Sequence, residues 1–462
     1  ATWAIRTPTD VVLEPSCGDG MLVLSAAQRL ITLGRDPHFL RDQIVGVELD
    51  EHEAAKAASR IHAIDPALEP LSIHQGDFFA YCRQKLLRDT VLAGRLEPSR
   101  RFDAIIGNPP FIRYQNFPEE YRELAFQIME QAGFHPNRLT NAWLPFLVVS
   151  TLLLSEHGRI AMVIPAELFQ VSYAAELRRF LSDYFSRLTI LTFRELVFPD
   201  IQQDVVLFLG EHNGNTDPEI QVYELNNASD LADFWAQERQ PEFKPMDHSS
   251  EKWTQYFLTR DEITLLRKLR EHPRITWSNQ VIDVDVGVVT GQNDFFILKS
   301  AEVVDRGLEP MTRRIVARSG HLKGAIFTQD DWLWNANEEY GSYLFAPPDV
   351  EREALPQAAQ ELIGVGEAQK MNIGFKCRIR KRWYIVPSVW VPDAFMLRQI
   401  HGYPKLILNV SGATCTDTIH RVRFVQGADP RMVTAPFLNS LTFAFAEVTV
   451  LGSGWWLLSF DI

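Results

Sequence analysis

The fold is decided by the stretch Val11-Val12-Leu13-Glu14-Pro15-Ser16-Cys17-Gly18-Asp19-Gly20, in which an apolar strand runs into a turn of small residues. Turns of this kind lie at the carboxyl edge of a parallel sheet, where α/β proteins bind ligands, and their glycines let a ligand approach the backbone closely. Asp19 would repel a phosphate, and no Lys-Ser/Thr pair follows the turn. We therefore expect a ligand that carries an amino group or is cationic. The alternative is that the turn only connects the strand to the following helix.

Apolar runs continue to alternate with helical periodicity as far as about residue 210, which predicts a mostly parallel α/β sheet. Helices are expected at residues 21–33 and 174–184, among others. The last two predicted strands are separated by only a short loop, which indicates an antiparallel hairpin that closes the sheet. The predicted strands are at residues 11–13, 44–47, 71–73, 102–106, 159–164, 190–193 and 204–209.

The length of 462 residues favours two domains. Polar, proline-containing sequence follows residue 225, and residues 240–245 are typical of a linker. We therefore predict a catalytic domain over residues 1–250 and a second domain over residues 251–462. The second domain begins with an amphipathic helix near residues 261–271 and continues with short β runs, so it is expected to be mixed α+β.

Composition and charge exclude several classes of protein. The net charge of −13 argues against a protein that coats nucleic acid indiscriminately, but screening over about 8–10 Å allows a local basic cleft to act. Apolar runs are far shorter than the roughly 20 residues that cross a bilayer, and no secretion leader is recognisable. The four cysteines and the histidines lack metal-ligand spacing, so we expect no metal site, no disulfide framework and a reducing cytoplasm.

Acidic residues stand at the tips of the first three strands. Glu14 ends the first strand, Glu48 ends the second and is placed to accept hydrogen bonds from ribose hydroxyls, and Asp77 follows the third. Asp77 could receive an adenine amino group while Phe78 covers the ring. Each acid alone is more often a solvated loop residue or a helix cap. The succession of three predicts a nucleoside pocket.

The fourth strand ends in Gly107-Asn108-Pro109-Pro110-Phe111, the most specific motif in the chain. Two prolines remove amide donors and fix an extended turn whose carbonyls remain free to accept. Hydrogen bonds from an aromatic amine to the Asn108 side-chain oxygen and the Pro109 carbonyl would localise the nitrogen lone pair and permit attack on a methyl group. Phe111 would stack on the base and orient it. The alternative is an ordinary proline-rich loop after a strand.

Together these motifs resemble the amino-group DNA methyltransferases, in particular the TaqI-like gamma class, over about the first 210 residues in detail and loosely beyond. The resemblance implies a Rossmann-like S-adenosylmethionine (SAM) domain followed by a target-recognition domain. Only residues 1–6 stand where the family places an aromatic, Thr-Pro-containing segment. The resemblance also implies catalysis by Asn108, Pro109, Pro110 and Phe111. It implies that SAM is bound by Glu14, Pro15, Cys17, Gly18, Gly20, Glu48, Asp77 and Phe78.

Two further regions are implicated in holding a substrate. Phe198, in the loop before the strand at residue 204, looks like the family's aromatic contact to a flipped base, although it could be a core aromatic. Residues 375–384 interleave cations with aromatics and contain no acid, which favours phosphate contacts over a solvated basic strand. Residues 286–296 and 407–418 resemble target-recognition segments or ordinary hairpins. The cations are Lys376, Arg378, Arg380, Lys381 and Arg382.

The sequence is thus interpreted as a site-specific DNA adenine-N6 methyltransferase of a restriction–modification system. Its expected cofactor is SAM, and its expected partners are double-stranded DNA, from which the target adenine must be flipped, and a cognate restriction endonuclease. Methylation of RNA or of a protein glutamine uses the same Asn-Pro-Pro-aromatic chemistry and stays open. A non-catalytic DNA-binding subunit is the third interpretation.

Overall fold

The computed structural model describes residues 1–62, 72–89, 96–169, 171–198, 203–212, 217–236, 242–246, 252–400, 403–449 and 458–459. The chain forms two compact units, Ala1–Thr264 and Leu265–Ile462. The division falls within the helix Arg260–Arg270 and not at residue 250. Trp253 and Tyr256 explain this position, because both are buried and the Tyr256 carbonyl accepts a hydrogen bond from Lys244 at 2.8 Å.

A nine-stranded sheet forms the centre of the first unit. The strands lie side by side in the order β9-β8-β6-β7-β5-β4-β1-β2-β3. Strands β1 to β5 pair in parallel, whereas β7 runs antiparallel to both β5 and β6. In chain order the strands are β1 Val12–Glu14, β2 Ile44–Glu48, β3 Ser72–Gln75, β4 Phe102–Gly107, β5 Leu154–Pro165, β6 Arg187–Phe193, β7 Val205–Glu211, β8 Glu219–Leu225 and β9 Lys244–Pro245.

The predicted α/β class and the mostly parallel sheet are confirmed. The predicted antiparallel hairpin is present as β6 and β7, but it does not close the sheet. Strand β8 pairs in parallel with β6, and β9 pairs antiparallel with β8. Residues 244–245 of the predicted linker therefore form a strand. Their pairing partner is a partly exposed strand of alternating polarity, a pattern weaker than that of the buried strands.

Helices of the first unit pack on this sheet. The helices Met21–Thr32 and Glu51–His62 contribute Val23, Ala57 and other residues to one apolar core with β1, β2 and β4. Trp143–Leu152 is buried along nearly its whole length, as expected for a helix that is apolar all round. The remaining helices are Leu40–Gln43, Phe78–Tyr81, Glu119–Gln131, Ala175–Tyr184 and Asp230–Ala236.

The second unit is mixed α+β, as predicted. A five-stranded sheet has the order Ile282–Val286, Ile419–Phe424, Ala394–Leu397, Leu406–Asn409 and Ile326–Phe327, and a four-stranded sheet has the order Ile297–Leu298, Tyr343–Phe345, Thr312–Val316 and Thr414–Cys415. The helices are Arg260–Arg270, Asn293–Phe296, Ser300–Arg306, Gln329–Asn337, Gln357–Ala368, Phe375–Arg378, Pro430–Thr434 and Ser440–Thr449.

Three observations hold for the described parts of both units. No helix there is long and apolar enough to span a membrane. No group of His, Cys, Asp and Glu side chains is placed to hold a metal ion. The four cysteines are buried and unpaired.

Candidate functional site

The parallel pairing brings the four predicted strand tips to one edge of the sheet. Glu14 ends β1, Glu48 ends β2, Asp77 follows β3 and Asn108 follows β4. Because neighbouring strands lie about 4.8 Å apart, the order β4-β1-β2-β3 places the ends of β4 and β3 roughly 14 Å apart. The tips form a row with the amide of Asn108 at one end and the carboxylate of Asp77 at the other.

The turn after β1 is held against the tip of β2. The Cys17 amide donates a hydrogen bond to the Val47 carbonyl at 2.8 Å, and the Gly18 amide donates to Oε2 of Glu48 at 2.7 Å. Gly18 and Gly20 both have a left-handed backbone, with φ of 50° and 84°. No atom lies near the position that a Cβ of Gly18 would occupy, so the backbone there is open to a ligand.

Glu14 is a buried acid with an unsatisfied oxygen. The side chain is 2% exposed, and its Oε2 has no hydrogen-bond partner among the described residues. Burial, followed by the nearby charges of Glu48 and Asp19, raises the pKa of Glu14 well above its usual value, against a backbone hydrogen bond from Val23. A buried carboxyl of this kind fits a cationic ammonium group, which would supply both the missing hydrogen bond and the missing charge.

Glu48 and Asp77 are already partly satisfied by the backbone. Oε1 of Glu48 accepts a hydrogen bond from the Asp50 amide at 2.9 Å, which leaves further lone pairs on both carboxylate oxygens. Asp77 caps the helix Phe78–Tyr81 by accepting from the Ala80 amide at 2.8 Å, and burial raises its pKa. The capping role left open by the sequence is therefore present, and a contact from Asp77 to adenine stays a prediction.

Phe78 and Phe198 differ in their surroundings. Phe78 is 2% exposed and stacks on Phe146, with ring centroids 5.2 Å apart. Phe198 is half-buried in the loop after β6, which runs in the same direction as β5 because both are antiparallel to β7. That loop therefore leaves the same edge of the sheet as Asn108. Contacts of Phe78 and Phe198 with adenine rings stay predictions.

The loop after β4 contacts the turn after β1. The Ser16 hydroxyl donates a hydrogen bond to the main-chain oxygen of Asn108 at 3.2 Å. A Cβ on Gly107 would lie only 3.2 Å from Cδ of Pro15, so the two backbones pack closely. Asn108 is exposed, and no hydrogen bond within the described residues uses its side chain. Pro109 is buried, whereas Pro110 and Phe111 are half-buried.

The far end of this loop is anchored by Asn141, which the sequence did not single out. Oδ1 of Asn141 accepts a hydrogen bond from the Tyr114 amide at 3.1 Å, and the Ala142 amide donates to the Ile112 carbonyl at 2.9 Å. Segments 112–114 and 141–142 are thus joined by two hydrogen bonds. The loop that carries Phe111 is fixed at both ends.

Asn141 is in turn held by two side chains near the tip of β5, the strand next to β4. Its Nδ2 donates to the Tyr173 hydroxyl at 3.2 Å and to Oε2 of Glu167 at 3.4 Å, and the Tyr173 hydroxyl donates to the same Glu167 oxygen. Burial, followed by the Glu167 charge, raises the pKa of Tyr173, which therefore remains a hydrogen-bond donor. An acid two residues after the end of a strand was the available signal for Glu167.

The predicted basic segment of the second unit divides into internal and outward cations. Arg380 donates to the carbonyls of Thr290 at 2.7 Å and Val289 at 3.0 Å. Arg382 forms ion pairs with Asp349 at 2.6 Å and with Glu351, and its side chain is 14% exposed. These two arginines hold the segment in place, and their contacts with phosphates stay predictions.

The other three cations of the segment, Lys376, Arg378 and Lys381, are exposed. None of them forms an ion pair with another residue in the described ranges. The segment is a short helix followed by turns, not a strand, with Phe375–Arg378 helical. These side chains are free to meet an external anion.

The sheet order, the reversed strand β7 and the small-residue turn after β1 define an α/β methyltransferase domain, which is joined to a mixed α+β domain. Two family models match the chain. Residues 44–198 match the Eco57I restriction-modification methylase, and residues 250–454 match the C-terminal domain of the Type II methyltransferase M.Eco57I. The chain belongs with the methyltransferases of restriction–modification systems, a family that implies SAM as the cofactor.

Curated relatives match more distantly. Type II methyltransferase M.AccI of Acinetobacter calcoaceticus is 22% identical over 309 residues, which cover 63% of this chain and 54% of that protein. M.BstVI of Geobacillus stearothermophilus is 27% identical over 188 residues, covering 38% of this chain and 32% of the relative. The chain thus spans about half of the length of M.AccI and about a third of the length of M.BstVI.

One solved structure resembles both units. The Type IIL restriction-modification enzyme MmeI, determined in complex with DNA, has a TM-score of 0.62 at 12% identity, covering 98% of this chain and 61% of that chain. At this identity the likeness establishes the fold alone.

Gly20 and Gly18 provide a matched test of the turn. A Cβ at Gly20 would lie 2.8 Å from Ala57, whereas a Cβ at Gly18 would meet nothing within 4 Å. Both alanine variants bear a left-handed backbone cost of about 1–2 kcal/mol, and Gly20→Ala adds an overpacking cost of about 1–3 kcal/mol. Denaturant unfolding should therefore show Gly20→Ala to be the less stable variant. Equal stability of the two would contradict this packing.

Glu14→Gln should change stability in a pH-dependent way. Because the pKa of Glu14 is raised in the folded state, the stability contributed by this group is lost as pH rises through that folded pKa. The neutral variant avoids this loss, by about 1.4 kcal/mol for each unit of raised pKa. The melting temperature of Glu14→Gln should exceed that of the parent by an amount that grows as pH rises above the usual pKa of a glutamate and levels off above the folded pKa of Glu14. Exposed Glu123→Gln is the control, and a difference that grows toward low pH would refute the assignment.

Proposed function

We propose that this chain is a site-specific DNA methyltransferase that transfers a methyl group from SAM to N6 of a flipped adenine. The observation that carries the proposal is the contact between the turn after β1 and the Asn108 loop, through Ser16 and Pro15. It places the loop suited to a cationic ligand beside the loop suited to an aromatic amine. The match to restriction–modification methylases supports the same conclusion.

The row of strand tips fits SAM. Bound there, SAM supplies an electrophilic methyl group. Glu14 would hold the ammonium group, since its buried Oε2 lacks a partner among the described residues. Glu48, one strand further, would accept from the ribose hydroxyls while its carboxylate keeps the Gly18 amide in place. Asp77 and Phe78 at the end of the row would meet the adenine ring. Pro15, Cys17, Gly18 and Gly20 form the turn itself.

Asn108 and Pro109 act on the acceptor. The exposed Asn108 side chain would accept one N6 hydrogen through its oxygen, and the Pro109 carbonyl would accept the other. Both hydrogen bonds concentrate the nitrogen lone pair and favour its attack. Pro110 keeps the turn extended, and Phe111 stacks on the base so that attack occurs in line. Asn141 positions this loop through Tyr114 without touching the substrate.

Duplex DNA is the proposed substrate, and the adenine must leave the stack to reach the edge of the sheet. Phe198 would contact the flipped base from the loop after β6. Lys376, Arg378 and Lys381 would bind phosphates.

A cognate restriction endonuclease is the proposed partner, because the curated relatives are Type II methyltransferases. The buried, unpaired cysteines suit the reducing cytoplasm of a bacterium.

The acceptor can be tested directly. The protein should transfer radiolabelled methyl groups to unmethylated DNA and not to RNA or protein, and sequencing of modified bases should show N6-methyladenine within one recognition sequence. Labelled glutamine or labelled RNA would move the assignment to the corresponding alternative acceptor. Methyl transfer to cytosine would keep the enzyme class and overturn the adenine assignment.

Asn108→Ala should lower kcat roughly 100-fold, the effect typical of removing one group that stabilises developing charge. The Kd for SAM should change less than twofold, because Asn108 is not among the residues proposed to bind the cofactor. Asn116→Ala, on the exposed turn Tyr114–Asn116, is the matched control. Activity of Asn108→Ala equal to that of the parent would favour the non-catalytic interpretation.

A further inference from the structure

The outward side of the basic segment carries large apolar side chains as well as cations. Ile373, Phe375 and Ile379 are exposed to 62%, 64% and 62%. They fall within seven consecutive residues of the second unit, next to Lys376, Arg378 and Lys381. Exposing this much apolar surface on a single short segment calls for a binding partner.

The segment that carries these side chains is itself positively charged. From residue 368 to residue 392 the sequence has six cations and no acid, within a chain whose net charge is −13. Arg382 is neutralised by Asp349 and Glu351, but the other five cations have no ion-pair partner within the described residues. A partner of this surface must therefore combine negative charge with apolar faces.

The side of the segment that faces the protein is tightly packed. Cys377 is fully buried, and Arg380 binds the carbonyls of residues 289 and 290. A Cβ on Gly291 would lie 2.6 Å from Cβ of Lys376, and one on Gly374 would lie 2.7 Å from Nε2 of Gln292. This close packing prevents the exposed side chains from collapsing onto the protein. They are presented in a fixed arrangement.

We propose that residues 373–381 form an apolar wedge against duplex DNA, with Phe375 pressed between or against bases and sugars while Lys376, Arg378 and Lys381 bind the flanking phosphates. The inference rests on the proposed function and adds to it an apolar mode of DNA contact. Proteins that bend or unstack DNA use aromatic and aliphatic wedges beside cations in this way. A symmetric contact with a second copy is disfavoured, because it would bring like charges together.

The contributions of the apolar wedge and of the phosphate contacts to DNA affinity can be distinguished by their dependence on salt concentration. Phe375→Ala should weaken binding of the full chain to its duplex about tenfold, or about 1.4 kcal/mol, with the slope of log K against log salt unchanged. Replacing Lys376, Arg378 and Lys381 by alanine should reduce that slope by about 2–3. Phe375→Leu should lie between parent and alanine variant. Met432→Ala, at 72% exposure in the same unit, is the control and should bind as the parent does.

The readouts are fluorescence anisotropy for DNA binding, gel filtration for oligomeric state and circular dichroism for folding. Parental affinity of Phe375→Ala at every salt concentration would overturn the inference. So would a change in its oligomeric state without a change in DNA affinity, because the surface would then bind protein. If the parent binds duplex through Phe375 but transfers no methyl group, the wedge stands and the proposed function fails.

Discussion

The close contact between the turn after β1 and the loop after β4 is the constraint on which the site depends. Parallel pairing of these strands puts both loops at one edge, and the missing side chain at Gly107 allows Pro15 to pack against the backbone. The Ser16 hydrogen bond to Asn108 then fixes their separation. A donor loop and an acceptor loop held together in this way need little rearrangement for transfer, since orientation is supplied by the folded sheet.

Glu14 shows the energetic cost of the binding edge. Without a ligand, a buried carboxyl with an unsatisfied oxygen destabilises the folded protein. The raised pKa of Glu14 reflects the free-energy cost of its charged form. The adjacent charges of Glu48 and Asp19 increase it. Such a group is expected where a cationic ligand completes the structure. Stability and affinity are therefore opposed at this residue, as is common at functional sites.

The sequence predicted those features that are local. Apolar runs located β1 to β7, and residue types at the strand ends located the four tips at Asn108, Glu14, Glu48 and Asp77. Features that depend on distant partners were missed. Strand β9 forms only by pairing with β8. Asn141 donates a hydrogen bond to Glu167, which is 26 residues away in the sequence, and Arg382 pairs with Asp349, which is 33 residues away. No pattern of spacing reports such pairs, so the contacts that Arg380 and Arg382 make within the protein could not be predicted.

The most direct measurement is a structure of the chain bound to a methyl-donor analogue and a duplex that contains the recognised site. The geometry requires the adenine N6 atom within about 3 Å of both Oδ1 of Asn108 and the Pro109 carbonyl. It also requires the ammonium group of the donor analogue to lie against Glu14. A target base that lies away from Asn108, or a donor bound away from the row of strand tips, would contradict the central claim.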